Sequence, residues 1–61
     1  MPFVRIQLKE GRTAEQKQEL AQAIVEAMEQ QNFAPAENVR VIYEEMAPEN
    51  FYPGDLFKKE N

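Results

Sequence analysis

The chain has 61 residues, with no cysteine, no histidine, and eleven acidic against seven basic side chains for a formal charge of -4. A chain this short shelters only about 60% of the surface that it exposes when unfolded, and such folds lean on disulfides, a structural metal or self-association. Lack of Cys and His removes the first two, so self-association is expected. The acidic balance leaves no basic stripe to neutralise phosphates, which excludes nucleic acid as a partner.

Residues 1–61 are expected to form a single domain. No apolar run is long enough to span a bilayer, and the start Met1-Pro2-Phe3-Val4-Arg5 lacks the basic-then-apolar layout of a signal peptide. A cytoplasmic protein with no membrane partner is therefore expected. From Phe3 to Lys9, Val4, Ile6 and Leu8 alternate with Arg5, Gln7 and Lys9, the period of a half-buried strand. Glu10-Gly11-Arg12 breaks that pattern.

Thr13 with Gln16 three residues later forms a capping box, and the stretch to about Gln31 is rich in strong helix formers. Leu20, Ala23, Ile24, Ala27 and Met28 recur at helical spacing and are expected to face a core, with Glu15, Gln18, Gln22, Glu26 and Glu29 opposite. Asn32 is expected to close the helix in a left-handed conformation, and Pro35 prevents its continuation. Val39 to Met46 reads as a second strand, with Val39, Val41 and Tyr43 on one face and Arg40, Ile42 and Glu44 on the other. A strand, a helix and a strand define an α/β (α+β) chain: one β-α-β unit with parallel strands and a right-handed crossover. After Met46, the punctuation Pro48, Pro53 and Gly54 predicts a short C-terminal hairpin or extended segment. Phe51, Tyr52, Leu56 and Phe57 are too many large apolar groups for a free tail, so this segment is expected to cross onto another subunit of an oligomer.

The catalytic inventory lacks His, Cys, a metal cluster, a phosphate-cradling glycine loop and a nucleophile elbow. A proton-transfer group would have to be a carboxylate, Tyr, Lys or the amino terminus. Met before a small residue is normally trimmed, which would leave Pro2 as a free secondary amine. An α-amino group titrates near 8, and burial beside cations lowers that value towards the range of a useful general base. Pro2 also suits the plain opening of an edge strand. Arg12, at the first turn, and Arg40, on the face of Ile42, could hold carboxylates in a bidentate fork or simply pair with surface glutamates. Phe51 could wall a pocket or fill an interface. Glu44 and Glu45 are adjacent in a strand, face opposite sides, and cannot act as a pair.

Taken in order, Met1-Pro2, Glu10-Gly11-Arg12-Thr13, Glu15-Gln16-Lys17, Ala34-Pro35, Val39-Arg40-Val41-Ile42, Glu45-Met46 and Asn50-Phe51 resemble the 4-oxalocrotonate tautomerase family. The resemblance runs from Pro2 to about Phe51. It implies a β-α-β protomer in a homohexamer, a trimer of dimers, with sites built across subunits and no cofactor or metal. It also implies that Pro2 shuttles a proton between an enol or dienol acid and its keto isomer. Arg40 would then hold the keto oxygen and its carboxylate, Arg12 a distal carboxylate, and Phe51 would keep the pocket apolar. The partner would be a small unsaturated keto or hydroxy carboxylic acid.

Three positions depart from the family pattern. Lys9 stands where an apolar pocket residue, commonly Leu, is usual. Tyr52-Pro53-Gly54-Asp55 replaces a glycine-rich hairpin, and Pro53 removes a ladder donor there. Only Lys58 and Lys59 stand near the end, where the family often carries a basic residue. These departures keep two other readings open: a non-catalytic interaction module of the same fold, and another superfamily reaction such as hydration-dehalogenation or decarboxylation. A retained Met1 would favour the first, because it makes the Pro2 nitrogen a tertiary amide.

Overall fold

The computed structural model describes residues 1–60. Strand β1 (Phe3–Lys9) leads through the Glu10-Gly11-Arg12 turn into helix α1 (Ala14–Gln30), and the chain returns as strand β2 (Arg40–Met46). The two strands pair in parallel, with Phe3 opposite Arg40 and Lys9 opposite Met46. The expected β-α-β unit is present. Gly11 has φ 131°, open to glycine but strained for other residues, so the exit from β1 depends on it.

Both ends of α1 are set by local chemistry. The Thr13 hydroxyl accepts the Gln16 N–H at 3.0 Å, and the Gln16 side chain accepts the Thr13 N–H at 3.0 Å. At the far end Asn32 has φ 57°, as its sequence position predicts. The Asn32 N–H donates to the Glu29 carbonyl and the Phe33 N–H to the Met28 carbonyl, a Schellman closure. Thr13→Ala should lower unfolding free energy by about 1 kcal/mol. Denaturant titration at fixed protein concentration checks this, and an unchanged midpoint would show that the cap contributes nothing.

The packed stripe of α1 is rotated from the expected one. Ile24 and Met28 are half-buried, but they are joined by Lys17, Ala21 and Val25, while Leu20, Ala23 and Ala27 are exposed. The reason lies in two anchors on β2. The Tyr43 hydroxyl donates to the Lys17 carbonyl at 2.7 Å, and Lys17 Nζ lies 2.6 Å from a Glu45 carboxylate oxygen. These bonds turn the Lys17 stem onto the sheet, where its methylenes cover apolar surface. Strand β2 itself begins at Arg40; Val39 caps a short 3-10 turn (Ala36–Asn38) and is the buried residue of the core, at 6% exposure.

The C-terminal segment departs from the expected hairpin. A 3-10 turn (Pro48–Asn50) is followed by helix α2 (Gly54–Glu60). Pro53 cannot donate in a sheet ladder, but its carbonyl accepts the Leu56 N–H at 3.0 Å and starts the helix. Asp55 in the first turn and Lys58 and Lys59 in the last match the helix dipole.

The result is an elongated chain of 49 × 21 × 16 Å, with a radius of gyration of 15.6 Å. A compact chain of this size would have about 10 Å. Phe3, Phe33, Tyr52 and Phe57 are all more than half exposed. No helix among the described residues is long and apolar enough to cross a membrane.

Candidate active site

Parallel pairing gives the sheet two chemically distinct ends. At one end β1 and β2 both begin, which brings Pro2 beside Arg40: the Arg40 N–H donates to the Pro2 carbonyl at 3.0 Å. Pro2 is half-buried and lines a cleft of about 430 Å³ with Met1, Phe33, Ala34, Pro35 and Asn38. The Schellman turn at Asn32 directs Phe33 and Ala34 towards this cleft. Phe33 and Asn38 carry no sequence motif, and only the path of the α1–β2 connection reveals them.

Met1 is 74% exposed and occupies the Pro2 nitrogen through its peptide bond. That exposure leaves the Met1-Pro2 bond open to a processing enzyme. The Arg40 guanidinium donates from Nη1 to the carbonyls of Glu37 at 2.8 Å and Val39 at 3.0 Å. These neutral acceptors fix one edge of the fork, and among the described residues no carboxylate pairs with it.

At the other end lie Lys9, Arg12 and Phe51. The 3-10 turn after β2 carries Phe51 back to the end of β1, where Lys9 Nζ sits 5.0 Å from the centre of its ring. Lys9 and Arg12 line one open cleft of about 430 Å³ with Leu8, Glu10 and Gly11. Among the described residues neither cation is paired with a carboxylate, whereas Arg5 meets Glu44 and Lys17 meets Glu45. The last two pairs also place Glu44 and Glu45 on opposite faces of β2, as the strand period predicts.

The sequence-selected residues thus fall into two groups, Pro2 with Arg40 and Lys9 with Arg12 and Phe51. Seven strand steps separate Pro2 from Lys9, about 23 Å along β1. One chain by itself offers each group an open cleft.

A β-α-β chain in which Arg12 and Arg40 meet no carboxylate among the described residues, and which ends in an apolar arm, matches a known enzyme class. The family model described as tautomerase enzyme matches residues 2–61. A probable tautomerase of Streptococcus agalactiae serotype III (strain NEM316) is 47% identical over 60 residues, covering 97% of this chain and 100% of the relative. The chain belongs to the tautomerase family. Its solved neighbours place it with the 4-oxalocrotonate tautomerases. A heterohexamer 4-oxalocrotonate tautomerase from Chloroflexus aurantiacus J-10-fl superposes with a TM-score of 0.78 at 39% identity, covering 88% of this chain and 87% of that one. A 4-oxalocrotonate tautomerase homologue reaches a TM-score of 0.83 at 30% identity, covering 100% of this chain and 97% of its own.

Proposed function

We propose that this protein is a cofactor-free tautomerase that interconverts small enol or dienol acids and their keto isomers, with Pro2 as the proton carrier. The observation that carries this reading is the 3.0 Å backbone hydrogen bond that sets Arg40 beside Pro2, with an Arg40 guanidinium that meets no carboxylate among the described residues. With Met1 removed, the Pro2 nitrogen is a secondary amine. It takes a proton from the substrate's enol hydroxyl or from a carbon next to its carbonyl. The electron pair left behind spreads over the conjugated chain and its oxygen. Arg40 holds that oxygen and the adjoining carboxylate as charge develops. The protonated amine then returns the proton to another carbon, and the isomer leaves with atoms and charge conserved.

Arg12 would hold the carboxylate at the far end of the substrate, with Phe51 and Lys9 beside it. Pro2 and Arg12 are too far apart along one chain to grip a single small acid. A second copy supplies the missing half, and the exposed apolar groups of the arm supply surface for that assembly. The heterohexameric relative supports six subunits here; our reading is a single-domain chain of one type, assembled as a trimer of dimers and acting in the cytoplasm.

The test is a mass measurement on the native protein followed by an enol-to-keto assay. The expected result is a chain beginning at Pro2 that turns over the enol acid, and an inert chain when Met1 is retained. Equal turnover by the Met1-bearing chain would sink the reading.

A further inference from the structure

We propose that Glu29 is a positioning residue for Arg40: its carboxylate holds the short turn before β2, and that turn holds the guanidinium. The inference rests on the proposed tautomerase reading and adds to it a residue that acts without touching the substrate.

The connection from α1 to β2 has to bring Arg40 to Pro2. Its first half is tied to the end of α1 by backbone bonds from the Asn32 N–H to the Glu29 carbonyl and from the Phe33 N–H to the Met28 carbonyl. Pro35 interrupts that series, because it has no N–H to donate. The first donor beyond it is the Ala36 N–H, which opens the 3-10 turn (Ala36–Asn38). The Glu29 carboxylate accepts this N–H at 3.0 Å across seven positions of sequence. A bond to an ionised acceptor is of the stronger kind. One residue of α1 thus holds both halves of the connection, the near half by its carbonyl and the far half by its side chain.

The turn so held supplies both acceptors of the Arg40 side chain. Nη1 donates to the Glu37 carbonyl at 2.8 Å and to the Val39 carbonyl at 3.0 Å. Glu37 lies inside the turn, and Val39 closes it by donating its N–H to the Ala36 carbonyl at 3.1 Å. Ala36 is therefore bonded on both sides, to Glu29 and to Val39. Any shift of Ala36 carries the two carbonyls with it, and the guanidinium follows them. The Arg40 backbone is anchored separately, through its N–H to the Pro2 carbonyl. Nη1 takes both carbonyls, which leaves Nε and Nη2 for a substrate oxygen. A fork fixed before the substrate arrives lowers the ordering cost of binding and keeps its donors where charge develops.

The experiment is a double-mutant cycle on the native assembly, read by enol-to-keto turnover. Glu29→Ala should lower kcat/KM about fivefold, the size of one net hydrogen bond, and alanine keeps the helix intact. Glu29→Asp keeps the charge but is one methylene short, and should fall with it. Glu29→Gln, whose amide oxygen can still accept the Ala36 N–H, should restore most of the rate. Glu26→Ala removes the same charge from the same helix, where that carboxylate accepts the Gln30 amide at 3.3 Å, and should leave turnover native. In an Arg40→Gln background Glu29→Ala should add no further loss, because its route to the site is gone. A fivefold loss in both backgrounds, or the same loss from Glu26→Ala, overturns the proposal. The NMR resonance of the Arg40 Nε–H reads the positioning without turnover: it should move in Glu29→Ala and stay native in Glu29→Gln. An unmoved resonance also overturns the proposal. If turnover is indifferent to Pro2→Ala and Arg40→Gln, the tautomerase reading falls, while a moved Arg40 resonance still upholds the hold of Glu29 on Arg40.

Discussion

Replacing Pro2 by Ala should lower kcat/KM for enol-to-keto conversion by about a hundredfold or more, the range that one positioned general base contributes. Alanine keeps an amino group after Met1 is removed, so the loss measures what the proline ring adds: a secondary amine and a nitrogen whose direction is fixed by the ring. The fold should survive the change, because the Pro2 carbonyl that accepts the Arg40 N–H belongs to the backbone. A circular dichroism spectrum like that of the native protein, together with the lost rate, is the expected pair of results. Equal rates for the two proteins would remove Pro2 as the base.

The same amine fixes the direction of the pH dependence. Only its neutral form can take a proton, so kcat/KM should fall as pH drops through its pKa. Arg40→Gln should lower kcat/KM, because it removes the cation proposed to hold the oxygen on which charge develops. An unchanged rate would mean that Arg40 takes no part in the reaction.

Much of the protomer is legible in its sequence because the signals are local. Thr13 and Gln16 are one helical turn apart, and Asn32 announces its left-handed turn without help from distant residues. The alternation of β1 and the length of the crossover together predict parallel strands. The orientation of α1 is less legible because Ala21, Ala23 and Ala27 surround the helix with weak apolar contrast. What settles it is long-range: the Tyr43 hydroxyl and the Glu45 carboxylate anchor Lys17 from β2. Helix α2 was hidden for a different reason. Pro53-Gly54 carries the punctuation of a hairpin turn, while Asp55, Lys58 and Lys59 carry the weaker charge pattern of a helix.

The candidate site divides in the same way. Pro2, Arg12 and Arg40 can each be selected by residue type, but their grouping depends on the register of β1 against β2. No local pattern joins Lys9 to Phe51; the 3-10 turn after β2 does so. The apolar wall of Phe33 and Ala34 beside Pro2 likewise follows from how the Schellman turn leaves α1. Chemistry was readable residue by residue, and proximity was not.

That separation leads to the second large effect, in which two inactive proteins make an active one. Pro2→Ala and Arg12→Ala chains should each lose most activity, since one lacks the proposed base and the other the proposed holder of the distal carboxylate. Pro2 and Lys9 lie at opposite ends of β1, about 23 Å apart along the strand, and Arg12 follows Lys9 by three residues. On the proposed reading a small acid cannot touch both in one protomer, and each site draws Pro2 from one chain and Arg12 from another. Mixing the variants in equal amounts, with subunit exchange confirmed by native mass spectrometry, then creates sites where both residues are native. Random assembly would make about a quarter of the sites complete, and activity should recover towards that fraction of the native value. A double variant carrying both changes, mixed with either single variant, should recover nothing, because no site can then gain both groups. If exchange is complete and the single variants still fail to complement each other, the base and the distal arginine act from the same chain. The shared-site geometry would then be wrong, even if Pro2 remains the base.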